Sequence, residues 1–129
     1  MEHISERRRE QRLRYHWPVW FAEDFDDILF HGQMIDVSSR SAAFTFNEVE
    51  SGIYPGQQIT TRFSVPCFGP EDSFDMANFA RSATVCRVDN VNDFVRKVAI
   101  QFAEPLPFKP GEQVENESDA DLRLKAVTI

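Results

Sequence analysis

The sequence contains only two cysteines, Cys67 and Cys86, and only three histidines, His3, His16 and His31, among its 129 residues. Two cysteines allow at most one disulfide, and neither lies in a Cys-x-x-Cys pair or in a ligand spacing with histidine. We expect both to be reduced, buried small residues. Because the histidines are scattered without an i, i+4 pair, no metal site is expected.

Long apolar runs are also missing. No stretch approaches the roughly 18 residues needed to cross a bilayer, and the arginine-rich start lacks the apolar core of a signal peptide. We therefore expect a cytoplasmic protein without membrane insertion. The glycine-rich phosphate loops and the Gly-x-Ser-x-Gly nucleophile turn are absent, and the acids at 23–27 match a solvated turn better than a Ca²⁺ loop or a catalytic pair. We expect no enzymatic activity.

Positive charge is scarce and unevenly placed. The net charge is −7, but residues 1–16 hold five arginines against three glutamates, whereas residues 17–129 carry −9. An acidic body repels long polyanions, so nucleic-acid binding is not expected. A few converging arginines can nevertheless bind a small, compact anion.

The apolar content, with twelve Phe and two Trp, suffices for one compact domain. Short runs rich in strand formers alternate with turn signals, at residues 18–23, 28–37, 42–46, 58–65, 81–89 and 94–102. The run 58–65 alternates apolar and polar residues, and the last two runs read as a hairpin. The sequence thus predicts an all-β fold, a small six-stranded antiparallel barrel.

Turn and tail signals complete the organisation. Tyr54-Pro55-Gly56 predicts a turn, residues 66–75 a loop, and Gly32 a bulge or bend. Residues 118–127 carry the signals of a short helix. We expect a flexible Arg-rich arm at 1–16, the barrel at 17–108 and a tail with that helix at 109–129.

Two polar segments carry the chemistry. Arg8 and Arg12 lie in the arm, and the turn from Asp36 through Ser38 to Ser41 joins the second and third predicted strands. An arginine fork fits phosphate oxygens or the O6 and N7 acceptors of guanine, whereas a carboxylate accepts from the N–H groups of the opposite guanine edge. Together the segments suit a small guanine nucleotide with phosphates.

The pattern resembles the PilZ domain family, whose members typically bind the bacterial second messenger cyclic di-GMP. Arg8-x-x-x-Arg12 is followed 24 residues later by Asp36-x-Ser38-x-x, with Ser41 at the family's glycine position. Residues 54–66, 83–88 and 98–102 also resemble family strands, and the resemblance covers about residues 6–104.

The resemblance implies roles for six residues. Arg8 and Arg12 would bind phosphate and the guanine edge, and Asp36 and Ser38 would contact guanine and its surroundings. Arg7, just before the motif, is typical of members that bind an intercalated pair of cyclic di-GMP molecules. Ser41 would crowd the ligand and weaken binding. Binding would close the arm as a switch and relay the signal to an unidentified partner controlling motility or biofilm.

Alternatives remain open. A degenerate PilZ domain without the nucleotide could serve as a protein adaptor. An RNA or single-strand binder could use the arm with the Trp residues, because Trp17 and Trp20, with Phe21, could stack on a base. Core packing of at least one of these aromatic side chains is the simpler interpretation. The arm itself could be a solvated helix, and Asp36 and Ser38 could serve only to hold a tight turn.

Overall fold

The computed structural model describes residues 10–23, 29–47, 52–68 and 74–113. Within these ranges the chain forms a closed antiparallel barrel in the order β1-β2-β3-β6-β5-β4. Its strands are β1 Leu13–Ala22, β2 Phe30–Val37, β3 Ser41–Asn47, β4 Gln58–Phe68, β5 Phe74–Asn90 and β6 Val95–Phe102. The predicted all-β, six-stranded antiparallel barrel is confirmed.

The alternating pattern of the sequence fills the inside of the barrel. Ile59, Thr61, Phe63 and Val65 of β4 are all buried, as their spacing predicts. The one polar member, Thr61, donates from its hydroxyl to the carbonyl of Arg81 at 3.0 Å, so its burial leaves no unsatisfied donor.

Phenylalanine rings dominate this core. Phe21 contacts Phe44 with ring centroids 5.0 Å apart, and Phe63 stacks on Phe102 at 5.4 Å. Such contacts add stabilisation beyond the buried area. Each pair joins two strands that are separated by one strand in the barrel, so the contacts lie inside it.

Two predicted boundaries were wrong. β1 begins at Leu13 rather than at residue 18, so residues 13–16 belong to the barrel and not to the arm. The predicted loop at 66–75 is shorter, because β4 continues to Phe68 and β5 starts at Phe74. Proline misled the prediction: Pro66 lies within β4, beyond Phe63 where pairing with β1 ends, and a missing N–H is tolerated there.

Gly32 does not form the predicted bulge. It pairs regularly with Val19 and Phe46, and the irregularity in β2 falls later, between Met34 and Asp36. Glycine is needed for close packing instead, since a Cβ would lie 2.6 Å from the carbonyl oxygen of Thr45. The predicted turn at Tyr54-Pro55-Gly56 is confirmed, with Gly56 at φ 90°.

Both cysteines are free, as expected, but neither is buried. Cys67 is half-buried and Cys86 is exposed. Cys86 occupies the register shift between Val85 and Arg87, where the extra residue of a bulge leaves the regular inward alternation.

After β6 the chain crosses the end of the barrel and forms a 3₁₀ turn at Pro110–Glu112. Leu106 is buried, and Phe108 contacts Phe79 at 6.0 Å between ring centroids. The predicted helix at 118–127 and the arm residues 1–9 lie outside the described residues. In the described part of the chain, no helix has the length and apolar character to cross a membrane.

Candidate functional site

The antiparallel pairing of β1 and β2 brings the two predicted motif segments together. Leu13 pairs with Val37, so the residue just before β1 lies beside the end of β2. Arg12 Nη1 lies 3.0 Å from Asp36 Oδ1, although the two residues are 24 positions apart. The juxtaposition expected from the sequence is present for the second arginine of the motif.

A serine pair extends this contact. Arg12 Nη2 donates to Ser41 Oγ at 3.1 Å, and Ser41 Oγ lies 2.9 Å from Ser38 Oγ. Ser38 also shapes the turn: its N–H donates to the Ser41 carbonyl at 2.8 Å, and its hydroxyl accepts the Ser41 N–H at 3.1 Å. The turn-holding role considered for Ser38 is therefore real, alongside its place in the polar cluster.

The cluster is accessible to a ligand. The side chains of Arg12 and Asp36 are 25% and 19% exposed, so their ion pair is partly solvated and contributes modestly to stability. A guanidinium has five N–H donors, and Asp36 and Ser41 account for two. The remaining donors allow Arg12 to bind a third, anionic group while Asp36 holds its orientation.

Glu10 was missed by the sequence reasoning. Its Oε2 accepts the N–H of Ser39 at 2.7 Å, and its Oε1 accepts the Ser39 hydroxyl at 2.6 Å. The contact joins the segment before β1 to the Ser38–Ser41 turn, next to the Arg12 contacts. A glutamate between two motif arginines was visible in the sequence, but nothing there indicated its partner.

Tyr15 of β1, also missed, is buried. Its hydroxyl donates to the Ser64 carbonyl at 2.8 Å. Burial raises the pKa of the Tyr15 phenol well above its usual value, and the negative charge of Asp36 raises that pKa further. The phenol therefore stays neutral, and its hydrogen bond joins β1 to β4.

Small residues lie next to Asp36 on the neighbouring strands. The register pairs Asp36 with Ala43 of β3 and Ala43 with Ala99 of β6. Arg87 of β5 pairs with Ala99 and, like Arg40, is exposed. The strands beside the polar cluster thus present little side-chain bulk at these positions.

A separate cleft of about 390 Å³ opens on the β1 and β4 side of the barrel. It is lined by Trp17, Pro18, Trp20, Arg62, Phe63, Ser64 and Asn78. Phe21 is fully buried and Trp17 packs against the core, so the core interpretation holds for these two. Trp20 is 44% exposed and lies 4.8 Å from the His31 ring.

Other predicted site residues are not placed. Arg7 and Arg8 lie outside the described residues, as do the acids at 24–27. Glu23 is described, and its Oε2 accepts from Gln57 Nε2 at 3.4 Å. No group of three or more metal-ligating side chains occurs within the described ranges.

Comparisons with known proteins agree with this architecture. The structure titled "Structure of Bacillus subtilis Inhibitor of motility (MotI/DgrA)" is similar, with a TM-score of 0.61 and 12% identity over 87% of this chain. The chain spans half the length of that protein, and at this identity the likeness establishes the fold alone. No curated protein matches the sequence significantly. The family model described as PilZ domain matches residues 6–119, which is most of the chain. By that match, the chain belongs to the PilZ domain family.

Proposed function

We propose that this PilZ domain is a receptor for cyclic di-GMP. The single observation that carries the proposal is the Arg12–Asp36 contact at 3.0 Å, which puts the second arginine of Arg-x-x-x-Arg against the first residue of the Asp-x-Ser turn. Family membership supplies the ligand class, and the geometry supports it, because a partly exposed guanidinium and a carboxylate lie side by side.

Each group has a chemical task in this proposal. The Arg12 fork binds a phosphate or the O6 and N7 edge of guanine. Asp36 accepts from the guanine N–H groups, and the Ser38 hydroxyl donates to the ligand near the turn. Arg8 provides a second fork from the arm, and Arg7 supplies the extra positive charge that an intercalated pair of ligands would need.

Binding would act as a switch. The arginines of the arm repel one another in the free chain, and the doubly charged ligand removes that repulsion when the arm closes. The closed arm and ligand then form a surface for a downstream protein, with motility or biofilm control as the expected process. The ligand shifts this equilibrium only by its differential affinity for the closed state.

Isothermal titration calorimetry with cyclic di-GMP tests the proposal. We expect Arg12→Ala to lose about 1–3 kcal/mol of binding free energy, the range for a bidentate guanine contact. Arg96→Ala is the matched control, because Arg96 pairs with Phe46, which lies near the end of β3 that is far from Ser41. Equal affinity in the wild type and Arg12→Ala would contradict the assigned role.

Thermal melting gives an independent measurement. Cyclic di-GMP at 100 times its dissociation constant should stabilise the protein by about 2.7 kcal/mol and raise Tm by several degrees. No shift at saturating nucleotide would reject the receptor function.

A second candidate is a protein adaptor that does not bind the nucleotide. The observation favouring it is the hydrogen bond from Arg12 Nη2 to Ser41 Oγ, at the position where the family carries glycine. A hydroxyl there competes with the ligand for the guanidinium.

A further inference from the structure

We infer that Glu10 is a positioning residue: it holds residues 10–12, which include Arg12, on the Ser38–Ser41 turn before any ligand binds. The inference rests on the proposed function for its effect on cyclic di-GMP, but the fastening itself can be measured without nucleotide. It places Arg12 in a short segment that is already held on the barrel when the ligand arrives.

The Glu10 contact is bidentate and sheltered. Both carboxylate oxygens bind Ser39, one to its N–H at 2.7 Å and one to its hydroxyl at 2.6 Å. Ser39 is 8% exposed, and its carbonyl accepts the N–H of Leu106 at 2.7 Å. Because Ser39 is held from the barrel side as well, Glu10 binds to a fixed point and not to a mobile loop.

Charge strengthens this contact. Hydrogen bonds that donate to a carboxylate are shorter and stronger than neutral ones, and here two of them act on one side chain. A neutral amide at position 10 keeps acceptor capacity on only one atom, since its NH₂ group cannot accept from a donor. The charge and both oxygens are therefore required.

The residues after Glu10 are held as well. The N–H of Gln11 donates to Glu112 Oε2 at 3.2 Å, and Gly111 packs so closely on the Gln11 carbonyl that a Cβ would overlap it. Arg12 then binds Asp36 and Ser41. Three consecutive residues are thus held at two places, the junction of β2 and β3 and the 3₁₀ turn at Pro110–Glu112.

Anchoring has a consequence for affinity. A guanidinium already oriented on Asp36 loses less conformational freedom when the ligand arrives, and such preorganisation increases affinity.

A competing role would have the opposite effect on affinity: Glu10 occupies two donors of Ser39 that a phosphate could use. In that case, removing the carboxylate would tighten nucleotide binding. The 8% exposure of Ser39 and its bond to Leu106 favour the anchoring role. The two roles predict opposite signs, so one titration separates them.

The test uses Glu10→Gln and Ser39→Ala in the full chain, with Glu104→Gln as the control for loss of an exposed carboxylate. Without nucleotide, we expect hydrogen exchange at the Gln11 and Arg12 amides to be faster in both variants. In the control, exchange at these amides should be unchanged. With cyclic di-GMP, we expect affinity to fall about tenfold in Glu10→Gln and by less in Ser39→Ala, which keeps the backbone N–H bond to Glu10, while the double variant is no weaker than Glu10→Gln alone. Glu10→Asp should recover part of the loss, and Tm without ligand should change little.

Unchanged exchange at Gln11 and Arg12 in Glu10→Gln would overturn the inference, as would tighter nucleotide binding. If the wild type binds no cyclic di-GMP, the receptor function fails, and the exchange measurement still decides whether Glu10 fastens the segment.

Discussion

Arg12 and Asp36 form an ion pair at the junction where β1 begins and β2 ends, with Nη1 3.0 Å from Oδ1. The pair orients the guanidinium fork, and its partial exposure leaves one side open to solvent. A ligand that binds here meets a cation already aligned beside a carboxylate, which suits a molecule with both acceptor and donor edges, as guanine has.

Ser41→Gly should strengthen cyclic di-GMP binding. The change removes the hydroxyl that accepts from Arg12 Nη2 and leaves that donor for the ligand. The donor of this bond is charged but partly exposed to water, so its net contribution is about 0.5–1.5 kcal/mol, and we expect roughly a threefold to tenfold gain in affinity by calorimetry. Ser82→Gly on β5 controls for the effect of glycine in a strand. Absence of binding in both Ser41→Gly and the wild type would support the adaptor function.

The stoichiometry of binding should be two nucleotides per chain. Arg7 precedes Arg8-x-x-x-Arg12, and four phosphates need more positive charge than two. We expect Arg7→Ala to reduce the calorimetric stoichiometry from two to one, with the first nucleotide still bound. A wild-type value of one would reject the intercalated pair while leaving the receptor function intact.

Stability should fall at alkaline pH because of Tyr15. Burial, and then the Asp36 charge, raise the pKa of the folded-state phenol, whereas in the unfolded chain the pKa is near 10. The pH-dependent contribution of Tyr15 to the free energy of unfolding is therefore fully present below about pH 10. Above that pH the unfolded chain loses a proton that the folded chain keeps, and stability declines by about 1.4 kcal/mol per pH unit.

Urea denaturation between pH 8 and 11.5 measures this slope. Tyr15→Phe removes the ionising group, so its stability should depend less steeply on pH than that of the wild type. The variant should also be less stable at neutral pH by about 1–2 kcal/mol, because the Ser64 carbonyl loses its donor. Parallel pH profiles for the two proteins would contradict the assignment.

Gly32→Ala should destabilise the barrel. The added Cβ would lie 2.6 Å from the Thr45 carbonyl oxygen and close to the Phe44 ring, so β2 and β3 must separate. Overpacking of this kind costs about 1–3 kcal/mol, measured by chemical denaturation. Gly52→Ala is the matched control, since a Cβ there meets no atom within 4 Å. Equal stability of the two variants would show that the strands adjust without strain.

Local patterns predicted most of the barrel. The alternation in β4 and the hairpin of β5 and β6 depend on neighbouring residues, so they were visible in the sequence. The extent of β5 was not, because its first half pairs with β4 across a segment broken by Pro66 and Pro70. The prediction for Gly32 was wrong because the sequence alone does not distinguish a glycine required for close packing from a glycine required for a bulge.

The residues of the candidate site were likewise predicted only in part from the sequence. Arg12, Asp36 and Ser38 were found because their types and spacing match a family motif. Glu10 and Tyr15 were not, since their partners, Ser39 and Ser64, are determined by which strands meet in space. The Ser41 hydroxyl was expected to crowd the ligand, but its bond to Arg12 required coordinates.

Pairing between β1 and β4 ends at Phe63, and the next backbone groups of β4 are covered by side chains instead. Tyr15 binds the Ser64 carbonyl, and the Gln113 amide binds both the Pro66 carbonyl and the Phe68 N–H. A strand from another molecule could pair with this part of β4 only after displacing Gln113. The Gln113 contacts therefore protect β4 against edge-to-edge aggregation. A protein that bound at this place would therefore contact side chains on the barrel surface and would not extend the sheet.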